Sequence, residues 1–508
     1  MTNIWLSSRT VCLSAATTLA ALLLSACATS GPPARVALAT PPQWYAPQPL
    51  PPAAVPPTSA LPHNGQLAGL SAWWQQQGDS LLVELIEAGQ AVSPTISTAL
   101  SNLRQAQASR DTSAAARLPT LDLIGSASRS RAAPLGPASA VPVNLQQLGL
   151  QTSWEIDVFG RLGAITEADA QRIAGTQALW HDARVSLAAE VARQYYTLRS
   201  CQKLLLVSLD DARSRSETAR LSALAMRAGF EAPATSALAR ASAAESKARA
   251  TQQRAQCDID VKTLVALTAL DEPLLRQKLS VNQPLSSAPD TNAAALPGLQ
   301  PISAIPAEVL AQRPDVANAA SQLAAASFEV ASNRAERYPG LRLTGAITSG
   351  RTRGLNFDTW SIGPLAVTVP LFDGGASASR LAASIARYEE AAENYRATSR
   401  QAVREVEEAL VNLQSTADRT GDAAIAAQGY RESFTGTEAR YKAGLASLVE
   451  LEDARRTLLA AQSAVVNLEL ERRNAWVALY RALGGGWTVA SANPPALAAP
   501  PLLAPAAP

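Results

Sequence analysis

Two periodicities divide this chain. Between residues 145 and 156, Leu148, Leu150, Thr152, Trp154 and Ile156 fall on one face, while Gln147, Gly149, Gln151, Ser153 and Glu155 fall on the other. That period of two predicts a strand with one apolar face. Leu341, Leu343, Gly345 and Ile347 alternate in the same way with Arg342, Thr344, Ala346 and Thr348. Residues 120–129 and 360–369 complete a set of four less cleanly, and Pro364 inside the last predicts a bend or register shift. A soluble sheet with one wet face would show the same alternation.

Elsewhere the pattern is helical. After Gly375 an apolar or small seam reads Leu381, Ile385, Tyr388, Ala392, Tyr395, then Ala402, Val406, Ala409, Leu413. Past Gly444 a second seam reads Leu451, Ala454, Leu458, Ala461, Val465, Leu468, then Ala475, Leu479, Ala482, with Arg472 as its one interruption. Steps of three and four residues are coiled-coil spacing. A helix from Gly375 to Lys442 would be about 100 Å long. Ala443-Gly444 marks its reversal, since glycine takes the left-handed cap. The first half matches, with a helix from Arg161 to Met226, a turn at Gly229 and a return to about Leu270.

The landmarks occur twice in one order. Arg117-Leu118-Pro119 returns as Arg337-Tyr338-Pro339, Phe159-Gly160 near Phe372-Asp373-Gly374, and Arg227-Ala228-Gly229-Phe230 as Lys442-Ala443-Gly444-Leu445. Such duplication predicts two copies of one unit building one object. The expected organisation follows: a signal peptide at 1–26 and a Pro-rich tether at 27–70; a first repeat at 71–275 with strands at about 120–129 and 145–156 and a hairpin at 161–270; a linker at 276–304; a second repeat at 305–487 with strands at about 341–349 and 360–369 and a hairpin at 375–483; and a disordered tail at 488–508. The fold class is mainly α, long antiparallel hairpins with a small transmembrane β part.

Composition narrows the function. The net charge of +2 gives no reason to expect nucleic acid. The two histidines, His63 and His181, stand far apart, which argues against zinc and histidine-based catalysis. No nucleophile–base pair, metal spacing or phosphate loop occurs, so neither an enzyme nor a cofactor is expected. The stretch from Val11 to Leu24 is short for a membrane span. It ends in Leu24-Ser25-Ala26-Cys27, which resembles the bacterial lipobox, in which Cys27 would become the acylated N-terminus, bearing palmitate. Ala28, where an inner-membrane retention signal would place Asp, implies passage to the outer membrane. Between residues 31 and 62 lie 11 of the 33 prolines, an extended tether by composition. No other run of about 20 apolar residues exists, so a spanning element would have to be β. Four strands cannot close around a passage, because a small barrel already needs about eight. Several copies must then contribute.

These landmarks together resemble the TolC-like outer membrane efflux proteins, in their lipoprotein (NodT-type) branch. The matching stretches are Trp73-Trp74 with Gly78-Asp79 and Leu81; Gln312-Arg313-Pro314-Asp315-Val316; Tyr338-Pro339; Pro370-Leu371-Phe372-Asp373-Gly374-Gly375; Arg440-Tyr441-Lys442-Ala443-Gly444 with Ser447; and Leu479-Tyr480-Arg481-Ala482-Leu483-Gly484-Gly485-Gly486-Trp487. The resemblance implies a homotrimer whose protomers each give four strands to a shared barrel among outer membrane lipids. It implies helical hairpins forming a periplasmic tunnel (an α-barrel), a periplasmic adaptor, and an inner-membrane pump of the RND type.

Residue by residue, the resemblance assigns adaptor docking to the tips Ala228-Gly229-Phe230 and Ala443-Gly444-Leu445, and a periplasmic gate to Tyr441, Glu450 and Asp453. Acidic residues near a helix start also suit its dipole on an ordinary wet face. The family's further lock residues are replaced here by Thr235 and Ala446, so the resting lock is expected to differ. Cys201 and Cys257 lie equally far in sequence from Gly229, hence level on facing helices. An oxidising periplasm favours a disulfide, with two buried thiols as the alternative. A periplasmic adaptor lipoprotein and a non-pore coiled-coil lipoprotein are the rival readings. The duplicated hairpin disfavours the first and the strand pairs disfavour the second. Arg313-Pro314-Asp315 reads as a turn or helix start.

Overall fold

A computed structural model describes residues 30–38, 40–46, 74, 79–131, 142–281, 313–352 and 355–486. The lipobox residues Leu24, Ser25, Ala26 and Cys27 lie outside this set, as do most of the tether, most of the linker at 276–304, and the tail. The first half contains α1 (Ser80–Val92), α2 (Pro94–Ala115), β1 (Thr120–Ser130), β2 (Val143–Ile156), α3 (Arg161–Arg227), α4 (Pro233–Thr268) and α5 (Glu272–Val281). The second contains α6 (Pro314–Ala335), β3 (Gly340–Thr352), β4 (Leu355–Thr368), α7 (Ala376–Lys442) and α8 (Leu448–Ala482), then a short 3-10 turn at Gly484–Gly486. Helix, two strands, long helix and returning helix recur in one order.

The helices that precede each strand pair are additions to the expectation. In α2 only Leu103 is buried, so its sequence carries no apolar stripe of the kind that marks an amphipathic helix. Arg313-Pro314-Asp315 opens α6, with Pro314 at the first helical position, where its missing N–H costs nothing. Helix α5 also takes up the beginning of the segment read as a linker.

The four strands form one antiparallel sheet in the order β1-β2-β3-β4. Leu123 pairs with Leu150, Leu150 with Ile347, and Ile347 with Trp360, so one row of apolar side chains crosses all four strands. The register shifts between Leu343 and Gly345, opposite Gly363-Pro364, where proline cannot donate to the ladder. Both long helices start on an aspartate. Asp157 accepts from the backbone N–H of Leu162 and Gly163, at 3.1 and 2.7 Å. Asp373 accepts from those of Gly375 and Ser377, at 2.9 and 2.8 Å. Its carboxyl is held down at about 2, first by the Ser377 side chain and then by these two N–H groups.

Each long helix has 67 residues. The chain divides into two compact units: residues 1–38, 101–177 and 318–397 in one, and 39–100, 178–317 and 398–508 in the other. The first holds the sheet. The second is organised around a core that includes Trp74, Leu82, Leu85, Leu198, Leu264, Leu410 and Tyr480. Trp74 meets Trp476 edge-on at 5.3 Å and Tyr480 at 4.8 Å between ring centroids, a favoured aromatic arrangement.

Polar contacts fix how these helices meet. The Arg313 guanidinium donates to the Ala482 carbonyl at 2.8 Å, to Asp315 at 2.9 and 2.6 Å, and to Glu405 at 2.7 Å. It therefore satisfies a C-terminal carbonyl of α8 while tying that end to α6 and α7. Tyr195 donates to Asp79 at 2.5 Å and accepts from Arg199 at 3.1 Å. Asp79 also caps α1 through the N–H groups of Leu81 and Leu82.

Two short parts of the tether are docked on helices. In the first unit the Pro32 carbonyl accepts from Ser327 and the Pro33 carbonyl from Tyr388. In the second, Trp44 is buried in the core, and Glu407 accepts from the backbone N–H groups of Tyr45 and Ala46 at 2.8 and 2.6 Å. Local composition could not show this, because the partners lie hundreds of positions away.

Cys201 on α3 and Cys257 on α4 are joined, with their Cα atoms 5.6 Å apart. The bond closes a loop of sequence separation 56, which in the chain-entropy account stabilises by about 4 kcal/mol. Replacing both cysteines by serine is expected to lower the unfolding free energy by about 2–4 kcal/mol. Alkylation of the denatured protein should spare both thiols until a reductant is added. Labelling before reduction would contradict the bond.

Candidate functional site

Two surfaces carry functional character, the sheet and the hairpin tips. On the sheet, Leu121, Leu123, Leu148, Leu150, Trp154, Ile347, Trp360, Ile362, Leu365 and Val367 are all exposed. The register places these residues on one face. From Ile156 to Leu148 the band runs about 27 Å along the strand, close to the apolar height of an outer-membrane barrel. The opposite face carries Asp122, Gln147, Gln151, Ser153, Glu155, Arg342, Thr344 and Thr348. Apolar patches this large mark an interaction surface. Trp154 donates its indole N–H to the Arg117 carbonyl at 2.9 Å at the helix-proximal end of the band, and Trp360 lies in its middle, 76% exposed. No helix among the described residues is long and apolar enough to cross a membrane.

The two hairpin tips are built alike. At the first, Gly229 N–H donates to the Met226 carbonyl at 3.0 Å and Phe230 N–H to Ala225 at 2.9 Å. At the second, Gly444 N–H donates to Tyr441 at 2.9 Å and Leu445 N–H to Arg440 at 2.8 Å. Both are Schellman motifs, which need a left-handed residue just past the helix. Gly229 and Gly444 supply it with φ of 80° and 76°, at no Cβ cost. Ala228 and Ala443 end the helices, and the turns leave Phe230 88% and Leu445 69% exposed. The return helices start differently. Pro233 opens α4 without a side-chain cap, while Ser447 caps α8 through the Glu450 N–H at 3.2 Å.

The second tip gathers the remaining candidates. Tyr441 packs against the small cluster of Ala239, Leu448 and Leu451. Burial, followed by the neighbouring Glu231 charge, raises its phenol above the ordinary range. Glu450 and Asp453 are both exposed, one turn apart on one side of α8. Asp453 is paired with Arg456 at 3.0 Å, a partner that sequence reading did not assign. Reading by periodicity also missed a polar cluster on the other side of the same turns, in which Arg215 and Arg455 are buried and Asp211, Ser242 and Glu452 half-buried. Charged residues on a helix read as a wet face, so nothing in the local pattern signals it. Among the described residues no group of His, Cys, Asp and Glu side chains is suited to hold a metal.

The family model described as "Outer membrane efflux protein" matches residues 85–270 and 305–485, one segment in each half. The chain is 29% identical over 490 residues to the pyoverdine export outer membrane protein OpmQ of Pseudomonas aeruginosa, covering 92% of this chain and 96% of that protein. It is 27% identical to the solvent efflux pump outer membrane protein SrpC of Pseudomonas putida, over 81% of this chain and 86% of that protein. Among solved structures, the outer-membrane channel OprN superposes with a TM-score of 0.74 at 26% identity, covering 90% of this chain and 99% of that one. VceC of Vibrio cholerae superposes with a TM-score of 0.72 at 26% identity, covering 82% and 99%. With its apolar-faced sheet, paired long hairpins and a family match across both halves, the chain belongs to the outer membrane efflux protein family and is an outer-membrane efflux channel.

Proposed function

We propose that this channel is a homotrimeric, lipid-anchored duct that receives small molecules from a periplasmic adaptor and an RND-type inner-membrane pump. The observation that carries the ring is the sheet: one face is apolar and exposed, and among the described residues no strand pairs with the outer edges of β1 and β4. In hydrocarbon an open edge leaves backbone N–H and C=O groups without partners. Strands β1 and β4 run in opposite directions, so β4 of one copy can pair antiparallel with β1 of the next, and head-to-tail pairing closes a ring. Two copies would make a barrel of about eight strands, filled by its own side chains. Three leave a lumen.

Cys27 would carry the lipid. The exposed tips Ala228-Gly229-Phe230 and Ala443-Gly444-Leu445 would dock the adaptor, their apolar residues being the groups a partner can bury. Glu450 and Asp453, with Tyr441 behind them, would form the gate. Three copies around an axis would concentrate negative potential there and favour cations. Siderophores, solvents and drugs differ too much for one binding pocket, which fits a duct whose pump selects the cargo.

The purified protein is expected to migrate as a heat-dissociable trimer and to give cation-preferring single-channel currents in planar bilayers. Glu450→Gln with Asp453→Asn should lower that preference severalfold. A non-conducting monomer would rule out the duct, and an unchanged preference would rule out the acidic gate. Phe230→Ser with Leu445→Ser changes only exposed side chains. It should reduce cellular efflux about tenfold, as losing hot-spot contacts of roughly 1.4 kcal/mol or more does, with trimers intact. Full efflux would remove the docking role.

A further inference from the structure

The two helices that lead into the strand pairs end alike. After α2, the N–H groups of Arg117 and Leu118 donate to the carbonyls of Ala114 and Ala115 at 3.2 and 2.9 Å; after α6, those of Arg337 and Tyr338 donate to Arg334 and Ala335 at 3.2 and 3.0 Å. Each turn leaves an exposed arginine just ahead of its strand, Arg117 before Thr120 and Arg337 before Gly340. Among the described residues neither guanidinium has a carboxylate partner, whereas in the same unit Arg161 pairs with Glu155 at 2.7 Å and Arg380 with Glu336 at 3.1 Å.

Two observations put these arginines at the level of a leaflet's headgroups. The first is the apolar band of the sheet. Its helix-proximal end lies at Leu121, Ile156 and Leu341, where Leu341 pairs with both Ile156 and Val367. Arg117 and Arg337 precede Leu121 and Leu341 by one short turn of chain, so they stand just beyond the band. Aromatic rings mark the same level. Trp154 donates to the Arg117 carbonyl at 2.9 Å, and Tyr338 stacks on Phe159 at 5.1 Å between centroids. Tryptophan and tyrosine favour a membrane–water interface. The second observation is the docked start of the tether. Arg334, in the last turn of α6 ahead of Arg337, donates to the Ser30 carbonyl at 2.6 Å. From Ser30 back to Cys27 the chain reaches at most about 11 Å. Acyl chains on Cys27 would therefore enter the leaflet beside the turn that carries Arg337.

We infer that Arg117 and Arg337 bind the phosphates of anionic phospholipids in the leaflet on the helix side of the sheet. The site rests on the reading of the sheet as part of a membrane ring with Cys27 as its lipid anchor. A guanidinium holds phosphate oxygens through paired N–H donors. A long side chain rooted just outside hydrocarbon can keep its charge among the headgroups. Phosphate supplies the acceptor that the described residues do not. Repeated around the ring, the two positions make a basic collar below the apolar band, complementary to a leaflet that contains phosphatidylglycerol.

The test uses the full-length trimer in neutral detergent, incubated with equal amounts of phosphatidylglycerol and phosphatidylethanolamine, with the retained lipids counted by native mass spectrometry. Wild type is expected to retain phosphatidylglycerol over phosphatidylethanolamine by about fivefold or more, the effect of one basic residue at an anionic surface. Arg117→Gln with Arg337→Gln should bring the ratio close to unity. Arg342→Gln removes a cation from the polar face and should leave the ratio unchanged. Equal retention of the two lipids by wild type overturns the site, as does a wild-type ratio in the double variant. An equal fall in Arg342→Gln shows a general charge effect and overturns it too. A loss of trimers with the lipid ratio unmoved would mean that the arginines meet carboxylates of the next copy, which also overturns it. If the double variant does not assemble, wild type decides alone. Salt at about 1 M during incubation, where screening acts within about 3 Å, must lower the ratio, and an unmoved ratio overturns the site. Single-channel currents separate the two readings. Conducting wild-type trimers without lipid preference lose only the headgroup site, whereas a non-conducting monomer removes the ring and the site with it.

Discussion

Backbone hydrogen bonding in lipid is the constraint on which the rest depends. A bilayer offers no partner for a bare N–H or C=O group, so a spanning sheet must close. The described residues supply four strands, an exposed apolar face and two edges without a strand partner. Among the described residues the sheet does not close on itself, which is why the proposed ring follows from the sheet rather than from the helices. The antiparallel order of the strands makes the two edges mutually compatible, so the proposed ring needs only repetition of one protomer.

The recurring order of elements in the two halves supplies the rest economically. Both halves start their long helix on an aspartate, Asp157 and Asp373, and end it on a left-handed glycine, Gly229 and Gly444. These local rules set start, length and reversal without reference to tertiary contacts. The two halves then differ in what holds their hairpins. The first hairpin carries the Cys201–Cys257 bond. The second carries Glu450 and Asp453 on one side of α8 and Glu452 with Arg455 on the other, with Tyr441 of α7 packed towards the inner side.

Buried charge does the fine positioning in the second unit. Arg313 binds a helix-terminal carbonyl and two carboxylates from separate helices. Arg215 and Arg455 do comparable work near the tips. Guanidinium suits these junctions because its planar fork can bind several acceptors at once. An Ala-rich seam gives close packing but little directional information, and junctions such as Arg313 with Asp315, Glu405 and the Ala482 carbonyl add directional contacts to it.

The sequence by itself determined the strands, the long helices and their turning points, because each rests on periodicities and caps that act within a few residues. Leu148, Leu150 and Trp154 announce a face by alternation alone, and Gly444 announces a reversal by its lack of a Cβ. Helix α2 stayed hidden because one buried residue, Leu103, makes no stripe. The docked residues around Trp44 stayed hidden because a Pro-rich composition describes the free chain and not its distant partners. Glu452 and Arg455 read as solvent-facing charges until the fold brought Arg215 and Ser242 against them. Only the tertiary structure decided which charges are buried, since burial depends on residues far apart in sequence, and a local pattern carries no record of them.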